Sequence, residues 1–223
     1  MSPLNGYIST ALTNADTQAR LAIDATVSAI RAAAGDALDV YFPGDFTDPV
    51  RDAHVSPADV FRIDRERVKG ADVIFLLAHT PSIGVGQELT MALESLTPIV
   101  LIAPRGTRVS RMALGVPTDL VEVRYDGDED LRAQLRAAIA ALRPRLEERR
   151  AALAALDANV TGAKIRAHRE QRQLTRAELA DRIGLTEVGV AHLEEASDRQ
   201  GDPSLTQLRR IAAVLGVRAA DLV

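Results

Sequence analysis

The 223-residue sequence has no cysteine and no tryptophan, and only 3% of it is aromatic. Without cysteine there is no disulfide scaffold, no thiol nucleophile and no thiolate zinc site. So few aromatics argue against binding single-stranded nucleic acid by base stacking. No apolar run approaches the roughly 20 residues that span a bilayer, so no membrane partner is expected. Met1–Asn5 shows neither the basic nor the apolar region of a signal peptide, which makes the cytoplasm the expected location. A formal net charge of -4 excludes a globally basic nucleic-acid binder but says little about a local patch. Lysine is scarce too: Lys69 and Lys164 are the only two among 27 basic residues, which reads as coding bias. No Asp/His cluster has metal-ligand spacing, so neither a metal nor another cofactor is expected.

What is present is 47% hydrophobic, enough for one domain and most of a second. In the first half, strand and helix signals alternate. Short apolar runs at 6–9, 39–42, 72–77, 98–103 and 121–124 read as strands. Helical patterns cover 16–34, 57–69, 86–95 and 129–142. Ser56 followed by Pro57 is an N-cap with proline at the first helical position. This alternation predicts an α/β domain, a Rossmann-like open parallel sheet with helices on both faces. Residues 143–161 read as a helical connector, and 162–223 as a small all-α domain. The expected division is therefore 1–142, 143–161 and 162–223.

In the last segment, Thr175 and Glu178 form a capping box, Gly184 makes a tight turn and Thr186 caps the next helix. Two short helices joined by a glycine turn between flanking helices are a helix-turn-helix arrangement. The pattern Lys164-Ile165-Arg166, Leu179-Ala180, Ile183-Gly184-Leu185-Thr186, Leu193-Glu194, Pro203-Ser204-Leu205 and Leu215-Gly216 resembles the lambda-repressor and Cro family, the XRE type. That resemblance implies a recognition helix at 187–196 facing double-stranded DNA with Thr186, Glu187, Gly189, Val190 and His192, and Arg176 near a phosphate. Ten basic against nine acidic residues in 162–223 leave little charge for phosphate contact. Glu187, Glu194, Glu195, Asp198 and Asp202 lie on or after that helix, so weak binding as a monomer is expected. A helical interaction module without DNA contact is the other reading.

The stretch richest in chemistry runs from Ala71 to Leu89. A buried strand ends at Thr80-Pro81-Ser82-Ile83-Gly84-Val85-Gly86, which opens onto a helix. Ligands of open α/β sheets sit at the carboxyl ends of strands, and helix N-terminal amides suit an anion. Glu88, expected in the first helical turn, is positioned as a nucleophile for an anomeric carbon. It could equally serve only to complement the helix dipole.

This region resembles the nucleoside 2-deoxyribosyltransferase superfamily, most closely its 2'-deoxynucleoside 5'-monophosphate N-glycosidase branch. The resemblance rests on the Ala-Asp strand and the Pro-Ser-x-Gly-Val-Gly-x-Glu-Leu motif, and spans about residues 4–140. It implies Glu88 as nucleophile, Asp64 as the group that binds or protonates the base, and Tyr7 as the residue orienting Glu88 or the sugar. Ser82, with the Gly84 and Gly86 amides, would hold a 5'-phosphate, helped by Ser110 from a partner chain. The family's Gly-Ser-Ile-Arg-Gly-Gly loop is replaced by Ser9-Thr10-Ala11-Leu12-Thr13-Asn14, so its arginine is missing; Ser9 and Thr10 take its place in the expected substrate site. Residues 43–49 read either as base recognition or as an ordinary turn. His54 and His79 are read mainly as structural, and Met91 and Met112 as core.

Together these imply a nucleotide N-glycosidase fused to a DNA-binding module, acting as a homodimer or larger homo-oligomer. A nucleotide-sensing transcriptional regulator with little turnover is the alternative, and base transfer in place of hydrolysis differs only in the acceptor.

Overall fold

The computed structural model describes residues 3–154, 160–195 and 203–223. The chain divides into two compact units, 1–153 and 154–223. Among the described residues no helix is long and apolar enough to cross a membrane.

In the first unit the expected strands appear as β1 (Leu4–Ser9), β2 (Leu38–Tyr41), β3 (Val73–Leu77), β4 (Ile99–Pro104) and β5 (Leu120–Tyr125). They form one parallel sheet in the order β2-β1-β3-β4-β5. Side chains alternate along each strand and supply two cores. Ile8, Val73, Phe75, Val100 and Ile102 pack on one face with Ile23, Val27 and Ile30 of α1 (Thr17–Ala34) and Leu131 and Leu135 of α5 (Asp128–Ala154). Tyr7, Ile74, Leu76, Ile99 and Leu101 face the other way, toward Val68 of α2 (Pro57–Lys69), Ala92 of α3 (Ile83–Glu94) and Ala113 of the short α4 (Arg111–Leu114). β3, buried at every position, is covered on both sides as its unbroken apolar run requires.

Two element boundaries differ from expectation. α3 begins at Ile83, so the glycine motif is not a loop before the helix but its first turn, and Glu88 falls in the second. Glycine weakens a helix only modestly when packing supplies the stability. α5 runs without a break from Asp128 to Ala154, through Pro144, so residues 143–153 continue the first unit. An interior proline costs a helix roughly 3 kcal/mol, and contacts beyond it offset that cost. Leu146 is buried, Arg149 donates to the Ser95 carbonyl at 2.6 Å, and Arg150 pairs with Asp72 at 2.6 Å.

The second unit contains α6 (Val160–Gln171), α7 (Arg176–Ile183), α8 (Glu187–Glu195) and α9 (Leu205–Leu215), then a 3-10 turn at Ala219–Asp221. Ile165, Leu179, Ile183, Val190, Leu193, Leu208, Ile211 and Leu215 close its core. Thr175 and Glu178 form the expected capping box. Gly184 ends α7 at φ +77°, a left-handed conformation open to glycine and costly for other residues.

Candidate functional sites

Parallel strands in the order 2-1-3-4-5 reverse direction of winding between β1 and β3, and a crevice opens at the carboxyl ends of those strands. β1 brings two side chains there. Tyr7 and Ser9 are two residues apart, hence on one face of the sheet, the face covered by α2 and α3. The Tyr7 hydroxyl donates to Glu88 Oε1 at 2.8 Å and the Ser9 hydroxyl to Oε2 at 2.5 Å. Both donors are fully buried, so each carboxylate oxygen is fixed from the protein side.

Glu88 looks out on a cavity of about 560 Å³. α2 and α3 each give it one helical stripe at i, i+3, i+4 and i+7: Pro57, Val60, Phe61 and Asp64 from α2, and Gly84, Gln87, Glu88 and Met91 from α3. The end of β1 adds Thr10, Leu12 and Thr13; the segment after β2 adds Pro43, Thr47, Pro49 and Asp52. That segment is clamped from behind: Asp48 accepts from the backbone of Val50 and Arg51 and pairs with Arg20, which together hold its carboxyl down near 2.

Burial dominates the electrostatics. It pushes the Glu88 carboxyl up to about 7; the Ser9 and Tyr7 hydroxyls pull it down, and Asp64 adds a smaller upward push. Burial alone raises Asp64 to about 6, and Asp64 Oδ1 is buried without a hydrogen-bond partner. Tyr7 is driven well above its ordinary value, first by burial and then by the charges of Glu88 and Asp64, so it stays a donor. Behind the site Tyr41 stacks between Tyr7 and Phe46, with the Arg67 guanidinium 4.7 Å from its ring centre.

At the rim, Ser82 is the N-cap of α3 but makes no side-chain capping bond. The amides of Ile83, Gly84 and Val85 precede the first possible intrahelical acceptor, so the helix end suits an anion. Gly86 departs from expectation because its N–H donates to the Ser82 carbonyl at 3.1 Å. It lines a second cavity of about 630 Å³, together with Ser110 and Met112. Within one chain, then, Ser110 and Gly86 are not brought to the Glu88 cavity, while Thr10, Asp64, Ser82, Gly84 and Glu88 are. Ser9 departs from expectation as well: it has no exposed surface, does not line the cavity, and donates to Glu88.

Met91 is partly buried against the core and also lines the Glu88 cavity, whereas Met112 is 85% exposed and is not a core residue. His79 contacts the Tyr125 hydroxyl at 3.0 Å, and His54 is exposed; neither lines the Glu88 cavity. Sequence reasoning missed Phe61, Val60 and Gln87. The signal was there, since each shares a helical stripe with Asp64 or Glu88.

In the second unit, Thr186 accepts from the Gly189 N–H at 3.1 Å and caps α8 as expected. Thr186, Glu187 and Val188 are exposed, and Gly189 and His192 are partly so. Val190 is fully buried and faces the core, not a groove; the exposed apolar residue is Val188, 64% exposed. Glu194 is not a surface charge either. It forms a buried bidentate pair with Arg169 at 2.6 and 2.9 Å. Arg176 is committed as well, to Glu194 at 2.9 Å and Glu195 at 2.5 Å, which removes it as a free phosphate arm. Ala196, Asp198 and Asp202 lie outside the described residues.

Three solved structures are similar to the N-terminal part of the chain. A conserved protein from Enterococcus faecalis V583 is 16% identical, with a TM-score of 0.49 over 61% of this chain and 99% of its own. A CMP N-glycosidase from Clostridium botulinum is 14% identical, with a TM-score of 0.45 over 60% and 98%. A 2-deoxyribosyltransferase from Bacillus psychrosaccharolyticus is 18% identical, with a TM-score of 0.45 over 59% and 95%. No curated protein matches the chain. Residues 165–222, from α6 through the final 3-10 turn, match the family model described as helix-turn-helix.

Proposed function

We propose that the N-terminal unit hydrolyses the N-glycosidic bond of a nucleoside or deoxynucleoside monophosphate through Glu88, and that the C-terminal unit binds double-stranded DNA. The observation that carries the first reading is Glu88 itself, whose two oxygens are fixed by Tyr7 and Ser9 at the wall of a cavity shared with Asp64. A carboxylate aimed this way attacks C1'; the C1'–N bond breaks, and its electron pair leaves with the base. Water then adds to C1' and releases Glu88. Asp64, unpartnered at Oδ1, binds the base or sugar. Ser82 and the Ile83 and Gly84 amides receive the phosphate, where hydroxyl and helix-end donors serve without a lysine. The exposed N-terminal part of α8, Thr186 to Val188, enters the major groove. The protein acts as a homodimer, so that paired modules read paired half-sites and Ser110 reaches a neighbouring subunit's nucleotide.

The test is to incubate the purified full chain with nucleoside monophosphates and NAD and measure released base by chromatography. Release that is lost in Glu88→Ala is expected. Tight nucleotide binding with no release would support a sensor, and an active Glu88→Ala protein would remove the nucleophile assignment.

A further inference from the structure

The charge on the cavity wall narrows the substrate. Among the described residues lining it are three carboxylates, Asp52, Asp64 and Glu88, and neither arginine nor lysine. Cations close in sequence or space are engaged elsewhere: Arg20 with Asp48, Arg67 over Tyr41, and Arg51 with the Gly44 carbonyl. On the same α2 stripe as Asp64, the half-exposed ring of Phe61 also lines the cavity. A neutral base gains little from this wall. A flat ring carrying delocalised positive charge gains from both the carboxylates and the aromatic face.

We infer that the bond cleaved here joins ribose to a cationic, pyridinium-type ring, the linkage of nicotinamide riboside and its 5'-monophosphate. This rests on the N-glycosidase reading above and names its leaving group. A Glu88 oxygen bonds to C1', the C1'–N bond breaks, and the electron pair returns to the ring nitrogen and cancels its charge. The ring departs neutral, so no proton is needed. Water then adds at C1', displaces Glu88, and gives up one proton to Asp64 or solvent.

Burial raises both acids, Glu88 to about 7 and Asp64 to about 6. The groups facing this pair are the Tyr7 and Ser9 hydroxyls on Glu88, and the Tyr41 and Tyr7 rings near Asp64, with Arg67 beyond Tyr41.

The experiment compares kcat/KM of the full chain for nicotinamide mononucleotide and nicotinamide riboside with values for CMP, dCMP, AMP and nicotinic acid riboside. The last has the same pyridinium ring with a carboxylate in place of the carboxamide. A preference of about tenfold or more for the nicotinamide compounds is expected, the scale of a desolvated cation–aromatic contact. Asp52→Asn, which removes one charge while keeping the shape, should narrow the ratio of nicotinamide riboside to nicotinic acid riboside; a purely structural role would leave that ratio unmoved. Equal or faster release from CMP, dCMP or AMP overturns the inference and leaves the N-glycosidase reading standing. No release from any compound overturns both.

Discussion

Replacing Glu88 with glutamine should stabilise the N-terminal unit at alkaline pH while abolishing base release. Burial raises this carboxyl from an ordinary 4.5 to about 7. A group whose folded value is raised contributes stability that is fully present below its unfolded value and is lost as pH rises through the folded one. The window is thus pH 4.5 to about 7. A shift of about 2.5 units at 1.36 kcal/mol each means that ionising Glu88 in the folded state costs about 3 kcal/mol by pH 8. Glutamine does not titrate. Any fixed difference between the two side chains cancels when the variant and wild type are compared at two pH values, and Asp64 titrates in both. About 2.5 kcal/mol of that cost arises between pH 5 and pH 8, so at about 2–4 °C per kcal/mol for a unit of this size the midpoint advantage of Glu88→Gln should grow by about 5–10 °C over that range. The protein offers a clean probe, since it has no tryptophan and its three tyrosines, Tyr7, Tyr41 and Tyr125, all lie in the N-terminal unit. Tyrosine near-ultraviolet circular dichroism during thermal unfolding therefore reports that unit alone. A midpoint difference that is the same at pH 5, 6, 7 and 8 would refute the burial argument, whatever happened to activity.

Ser9→Ala removes the donor to Glu88 Oε2, a charge-assisted bond of roughly 1.5–3 kcal/mol. The hydroxyl favours the ionised form, so its loss should move the Glu88 midpoint upward by about 1–2 units. Activity should fall at pH 7 and recover by pH 9, and an unmoved midpoint in the pH–rate profile would show that the bond is not made. In the second unit, Glu194→Leu leaves Arg169 buried without its partner and should cost about 3–5 kcal/mol. The double variant Arg169→Met/Glu194→Leu should recover most of that loss. Urea unfolding followed by far-ultraviolet circular dichroism gives both values, and a neutral single variant would contradict the pairing.

Much of this protein was legible from local pattern. The apolar run of β3, the Ser56-Pro57 start of α2, the Thr175–Glu178 box and the Gly184 turn all act through neighbours a few residues apart, so spacing alone reveals them. Asp64, Glu88 and Tyr7 were singled out by motif, and they do converge. Where the reading failed, the cause was distance along the chain. Ser9 looked like a substrate ligand until a partner 79 residues away occupied its hydroxyl. Arg176 looked like a phosphate arm until two glutamates of α8 claimed it.

Sequence by itself determined the five strands, most of the helices and which acid sits beside the glycine turn, because periodicity and capping are short-range. Folding decided that Tyr7 and Ser9 clamp that acid, that α2 and α3 face the same hollow with their like-spaced stripes, and that the hollow carries negative charge. Each of those depends on which surfaces are shut away from water together, and no stretch of chain specifies that until the sheet has brought its strands side by side.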